Sequence, residues 1–174
     1  MTLTTHAIIG ASVAELFPQH YILAFVAGFI SHLVIDSLPH FDYQIKSSKR
    51  NVNNPLDNDV IIGRAFIGDL LRIGFDACLG VLLAIIIFMY ALHFGNITLV
   101  LIGAVAGILP DPLQFIYWKT RSPLLLPLQK FHIWIQKGKS LHIHPFYGLL
   151  LQFGLVVVVV AFIDFAHVYL KIKF

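Results

Sequence analysis

Residues 78–92 and 148–162 contain no charged side chain, and within them only Gln152 is strongly polar. Runs of this kind approach the ~20 apolar residues that cross a bilayer. Backbone groups in hydrocarbon must be satisfied within their own segment, so such runs fold as helices. The rest of the chain agrees: 58% of its residues are hydrophobic, 12% are charged, and its mean hydropathy is +0.83. This argues against an ordinary soluble domain. It predicts one integral membrane domain over 1–174, an all-α polytopic bundle of about four to five membrane segments. The single Cys78 lies in an apolar run, so neither an intrachain disulfide nor a cysteine zinc site is expected. Residues 1–5 lack the basic region of a secretory signal.

The apolar segments fall at 2–17, 21–38, 59–94, 97–118 and 146–170. Pro18 and Pro39 close the first two, 94–96 is a tight connection, and a short amphipathic helix is expected near 128–136. Two basic loops separate the spans, at about 43–64 and 119–145. The first region carries Lys46, Lys49, Arg50 and Arg64, with Arg72 just beyond; the second carries Lys119, Arg121, Lys130, Lys137 and Lys139. The connections at 18–20 and 94–96 have no Lys or Arg. The positive-inside rule then places both long loops, and the amino terminus, in the cytoplasm. Lys171 and Lys173, on the opposite side in a five-segment topology, run against this pattern.

That orientation gathers most of the histidines and carboxylates on one membrane face. His32 and Asp36 are four apart, so they share a helix face about 6 Å apart along the axis. His40 and Asp42 follow just past Pro39, His6 enters from the first segment, and Asp111 comes from the Pro110-Asp111-Pro112 stretch of the fourth. Ionisable groups at membrane depth are costly unless paired, hydrated or bound to a metal. The metal candidates are therefore His6, His32, Asp36, Asp111, His40 and Asp76. A mixed imidazole and carboxylate set suits zinc, or manganese or iron where carboxylates dominate, and leaves room for one or two ions. Such an ion acidifies bound water and stabilises charge on a phosphoryl or acyl oxygen. Asp42 or His142 could move protons, and Arg72 or a loop lysine could hold phosphate. Arg72 is also three residues from Asp69 and four from Asp76, the spacing of a structural ion pair, which counts against Asp76 as a ligand. His132, on the amphipathic stretch, reads as a surface histidine. Gly10, Gly28, Gly103 and Gly107 allow close helix approach around the site.

Three patches carry a resemblance. Thr5-His6-Ala7-Ile8-Ile9-Gly10, the Gly-x-x-Pro-Asp at Gly107 to Asp111, and above all Gly28-x-x-x-His32-x-x-x-Asp36-x-x-x-His40 resemble the bacterial inner-membrane metal-dependent hydrolase family. The Gly-x-x-x-His-x-x-x-Asp element is also similar to zinc-dependent phospholipase C, although there the Pro-Asp element precedes the histidine helix. The resemblance implies that His32 and Asp36 are metal ligands, with His6 and Asp111 as partners.

The expected function is a membrane-embedded metal-dependent hydrolase of the bacterial inner membrane, with its site facing the cytoplasm. A site at that depth reaches a phosphoester of a lipid or lipid-linked substrate more readily than a soluble polymer. The small net charge of +3 lies in loops and is explained by topology, so no nucleic-acid partner is expected; a homo-oligomer is compatible with the composition. No serine–histidine–acid arrangement or glycine-rich phosphate loop competes. Two rival readings are a metal or proton transporter and a non-catalytic scaffold with a structural metal. The first would need polar residues stepping across the membrane, which 78–92 and 148–162 do not offer.

Overall fold

The computed structural model describes residues 1–42, 44–93, 96–137 and 144–170. It is a helical bundle of α1 (Leu3–Ala14), α2 (Tyr21–Asp36), α3 (Arg64–Ile85), α4 (Ile97–Ile108), α5 (Pro110–Thr120), α6 (Leu126–Gln136) and α7 (Pro145–Leu170). A π-helical stretch, Ile86–Ala91, prolongs α3. The expected all-α class therefore holds, with one small exception in the first basic loop. There Ser48–Lys49 (β1) pairs antiparallel with Asp59–Val60 (β2), Ser48 opposite Val60.

Helix α1 is the centre of the molecule and packs against α2, α3, α4 and α7. It is apolar on every side and almost wholly buried, the pattern of a core helix. Its first N–H groups have no intrahelical partner. Asp76 of α3 accepts from the Leu3 and Thr4 amides at 2.6 and 3.3 Å, and Thr2 Oγ1 accepts from the Thr5 amide. A carboxylate there also complements the positive end of the helix dipole. Against α4 the backbones almost touch. A side chain at Gly103 would overlap Gly10 and Ala11, and one at Gly107 would overlap the carbonyl of His6. Small residues four apart permit this approach, and it brings His6 to the level of Gly107.

Pro110 has no N–H for the preceding turn and its ring crowds the carbonyl four residues back. Accordingly α4 and α5 meet at a 41° bend, which starts α5 with Asp111 in its first turn. The first basic loop is fastened down rather than free. Asp69 accepts from the Ser47 amide and hydroxyl at 2.7 and 2.8 Å, Arg121 donates to the carbonyls of Leu56 and Asn58, and Lys119 pairs with Asp59 at 2.7 Å.

The number of spans is smaller than four to five. Among the described residues two helices are long and apolar enough to cross a membrane, Arg64–Ala91 and Pro145–Tyr169, and the bent α4–α5 pair makes up to three. At 12 and 16 residues, α1 and α2 are about 18 and 24 Å long, short of a hydrocarbon core of about 30 Å. The turn at Pro18 and the break after Asp36 cut these two apolar segments short. On α3 and α7 the outward residues are large and apolar, among them Leu71, Phe75, Leu82, Phe153, Val158 and Phe162.

Candidate metal centre

Asp36 is the last residue of α2, 1% exposed, with histidines from four different segments around its carboxylate. On the Oδ1 side stand His6 Nε2 at 3.1 Å and His40 Nε2 at 3.9 Å. On the Oδ2 side stand His132 Nε2 at 3.1 Å and His32 Nε2 at 3.4 Å. All four imidazoles are buried. Asp111 Oδ1 lies 3.6 Å from His32 Nε2, and its side chain is 35% exposed, so it marks the side open to solvent. His6 and His32 stack face to face with centroids 3.8 Å apart, while His132 meets His32 edge-on.

Each group reaches this point for a local reason. The four-residue spacing projects His32 and Asp36 from one face of α2. The close α1–α4 crossing carries His6 to the same level, and the Pro110 bend turns Asp111 inward from the start of α5. His132 is delivered by α6, whose Gln136, one turn on, donates to Asp36 Oδ2 at 2.5 Å and lies 3.0 Å from His132 Nε2. His40 and Asp42 arrive from the loop after α2, with His40 Nε2 3.1 Å from Asp42 Oδ1. The Met1 ammonium is 2.7 Å from the same oxygen and 3.4 Å from Asp36 Oδ1. Burial alone would raise the Asp42 carboxyl, but the adjacent His40 imidazole and the Met1 ammonium outweigh it and hold the group down at about 2.

The proton positions bear on what the cluster can bind. His32 Nδ1 lies 2.7 Å from the Gly107 carbonyl and His40 Nδ1 lies 2.7 Å from the Leu38 carbonyl. A carbonyl oxygen only accepts, so both Nδ1 atoms carry protons, and in the neutral rings each Nε2 presents a lone pair. Those lone pairs face carboxylate oxygens, and His32 Nε2, His40 Nε2 and His6 Nε2 have no hydrogen-bond partner. Two lone pairs set against each other in a buried site repel, and a proton or a metal cation between them relieves that repulsion. Charge-assisted hydrogen bonds would draw such pairs to about 2.7–2.9 Å. Around a tetrahedral zinc with bonds of about 2.1 Å, neighbouring ligand atoms stand about 3.4 Å apart. The separations here run from 3.1 to 3.9 Å. His32, Asp36, Asp111 and His132 each offer one atom within 4.8 Å of all the others, a set that could hold a metal ion. The backbone carbonyls on the Nδ1 atoms are the usual outer partners of metal-ligating histidines.

Of the residues expected at the site, His6, His32, Asp36, His40, Asp42 and Asp111 are brought together. Asp76 is not: it caps α1, because the N-terminal turn of that helix docks on α3. Arg72 is held by Asp69 at 3.0 Å, as the three-residue spacing suggested, and by the Gln44 carbonyl. His142 lies outside the described residues. His132 is the addition, and its reading as a surface histidine is overturned by its 1% exposure. The sequence signal was a polar stripe, Gln129, His132 and Gln136, on the face of α6 opposite Phe131 and Trp134. The two glutamine and histidine side chains of its first part are buried while the aromatics are 45% and 69% exposed. The chain matches no protein-family model, and no significant similarity to a curated protein or to a solved structure is found.

Proposed function

We propose that the chain is a membrane-embedded metal-dependent hydrolase acting on a phosphoester of a lipid or lipid-linked substrate, seated in a bacterial inner membrane with its site on the cytoplasmic side. The observation that carries this reading is the ring of buried imidazoles whose unpartnered Nε2 atoms face Asp36. His32, Asp36, Asp111 and His132 would hold a divalent ion, most simply zinc. His6 and His40 face the other oxygen of Asp36, where a second ion is the two-metal version of the same reading. A bound ion supplies Lewis-acid stabilisation of a phosphoryl oxygen and makes water acidic enough to react near neutrality. Hydrolysis forms a P–O bond from water and breaks the P–O bond to the leaving alcohol, which takes up the proton that water loses. Asp42, 37% exposed and paired with His40, is placed to carry that proton. Asp111 lines the open side through which the phosphate would enter.

Elemental analysis of detergent-purified protein, followed by hydrolysis assays on phosphatidylglycerol vesicles and on the soluble diester bis(p-nitrophenyl) phosphate, tests this. Wild-type protein should carry at least one equivalent of a divalent metal; His32→Ala and Asp36→Ala should lose it while still inserting. Full metal content in both variants would remove the assignment. Divalent-ion flux through proteoliposomes, abolished by His32→Ala, would favour the transporter instead.

A further inference from the structure

We propose that a groove between the end of α2 and α7 seats one acyl chain of a glycerophospholipid whose phosphate lies at the histidine–aspartate cluster; this rests on the hydrolase reading above. The groove has a volume of about 190 Å³ and is walled by Leu38, Pro39, Leu151 and Leu155, with Met1, Gln152 and His40 also in its lining. On α7, Gly148, Leu151, Gln152 and Leu155 follow the spacing of a single helix face, so the groove runs about 10 Å along that helix. Leu38 and Leu151 are 43% and 60% exposed, so the groove opens sideways. It opens, moreover, on a helix long and apolar enough to cross a bilayer. At that position the surrounding medium is hydrocarbon, and an apolar slot open to it takes up a chain rather than water.

The polarity of the groove fits a lipid. Most of the Gln152 amide is committed: its oxygen accepts from the Thr2 amide at 3.0 Å and from the Thr2 and Thr5 hydroxyls at 3.0 and 3.1 Å, and its nitrogen donates one hydrogen to the Phe41 carbonyl at 2.8 Å. Its oxygen is saturated and a single amide N–H is left over, so the groove stays predominantly apolar. His40 is 3% exposed and its Nε2 has no hydrogen-bond partner, facing Asp42 and Asp36. The groove is thus mainly apolar and touches the cluster through His40. A larger groove of about 380 Å³ between α3 and α7 is lined by none of the clustered histidines or aspartates, and so serves as the control.

The test uses protein reconstituted in phosphatidylglycerol vesicles doped with a phosphatidylglycerol carrying a diazirine in one acyl chain. Irradiation and residue-level mapping should strongly label Leu38, Pro39 and Leu155, which line this groove and not the larger one, in the wild type. Labelling there should fall at least tenfold in Leu151→Trp and in the milder Leu155→Phe, and stay unchanged in Leu83→Trp, which fills the larger groove. Metal content equal to wild type establishes that each variant has kept its cluster, and only such variants are compared. In the hydrolysis assay the groove variants should raise KM for phosphatidylglycerol about tenfold and leave bis(p-nitrophenyl) phosphate hydrolysis unchanged. Equal labelling in all variants, or equal loss with both substrates, would overturn the groove. If neither substrate is hydrolysed by metal-loaded wild type, the hydrolase reading fails, and the labelling still decides whether a chain lies in the groove.

Discussion

Asp36 illustrates how a single carboxylate organises the site. Its two oxygens are approached by four imidazoles, an amide and an ammonium, so the groups around it form one electrostatic unit. Gln136 is an outer partner in that unit. Gln136→Ala should weaken metal affinity about 10–100-fold while leaving the fold intact, as measured by competition with a chromogenic chelator. Glu15 is a separate case, in the turn between α1 and α2. Burial raises its carboxyl to about 7 from 4.5, with the Asn96 amide acting weakly the other way. A group raised on folding favours the folded state below its unfolded value and loses that contribution as pH rises through the folded one. Glu15→Gln should therefore raise the thermal midpoint more at pH 8 than at pH 5, read as the difference between variant and wild type at each pH. At this scale the sequence exposed His32, Asp36, His40 and Asp42 through spacing, and His6 and Asp111 through topology. Asp76 and His132 were misassigned for opposite reasons. Asp76 meets a helix end 73 residues away, which no local pattern reports. His132 sits on a helix that buries its polar stripe and exposes its aromatics, the inverse of the usual rule.

The elements are tied together by small residues and by one proline. Gly103→Leu should be among the most damaging substitutions in α4, because its side chain must enter backbone of α1 that cannot yield. Overpacking of this kind costs at least about 1–3 kcal/mol, and the expected readout is loss of folded protein on detergent size-exclusion chromatography. Pro110→Ala should straighten the α4–α5 junction and move Asp111 away from His32. Metal affinity would fall while the protein still folds, since the bend, and not the core, is what changes. Helix positions were readable because the apolar runs are long and their breaks lie at Pro18 and Pro39 or in polar loops. Their depth was not, because hydropathy does not distinguish a helix that faces lipid from one buried on all sides. That is why α1 reads as a span and folds as a core helix.

Across the whole molecule, the basic loops share an end with the histidine–aspartate cluster. Asp69, Lys119 and Arg121 fasten the first of them close to the start of α3 and the end of α5. In a Cys78→Ser background, a cysteine at Val52 or Leu124, which are 94% and 86% exposed, should react with a membrane-impermeant maleimide only from the cytoplasmic side. One at His93 should react only from the other. The central place of α1 has a further consequence for biogenesis. This helix leaves the ribosome before α3, α4 and α7, the helices that bury it, so its order of synthesis is the reverse of its order of enclosure. It must wait, partly exposed, until its walls exist, and His6 waits with it. The cluster closes only when α6 brings His132, and α7 then completes the wall around α1, so the polar centre of the molecule is assembled before its last apolar side is covered.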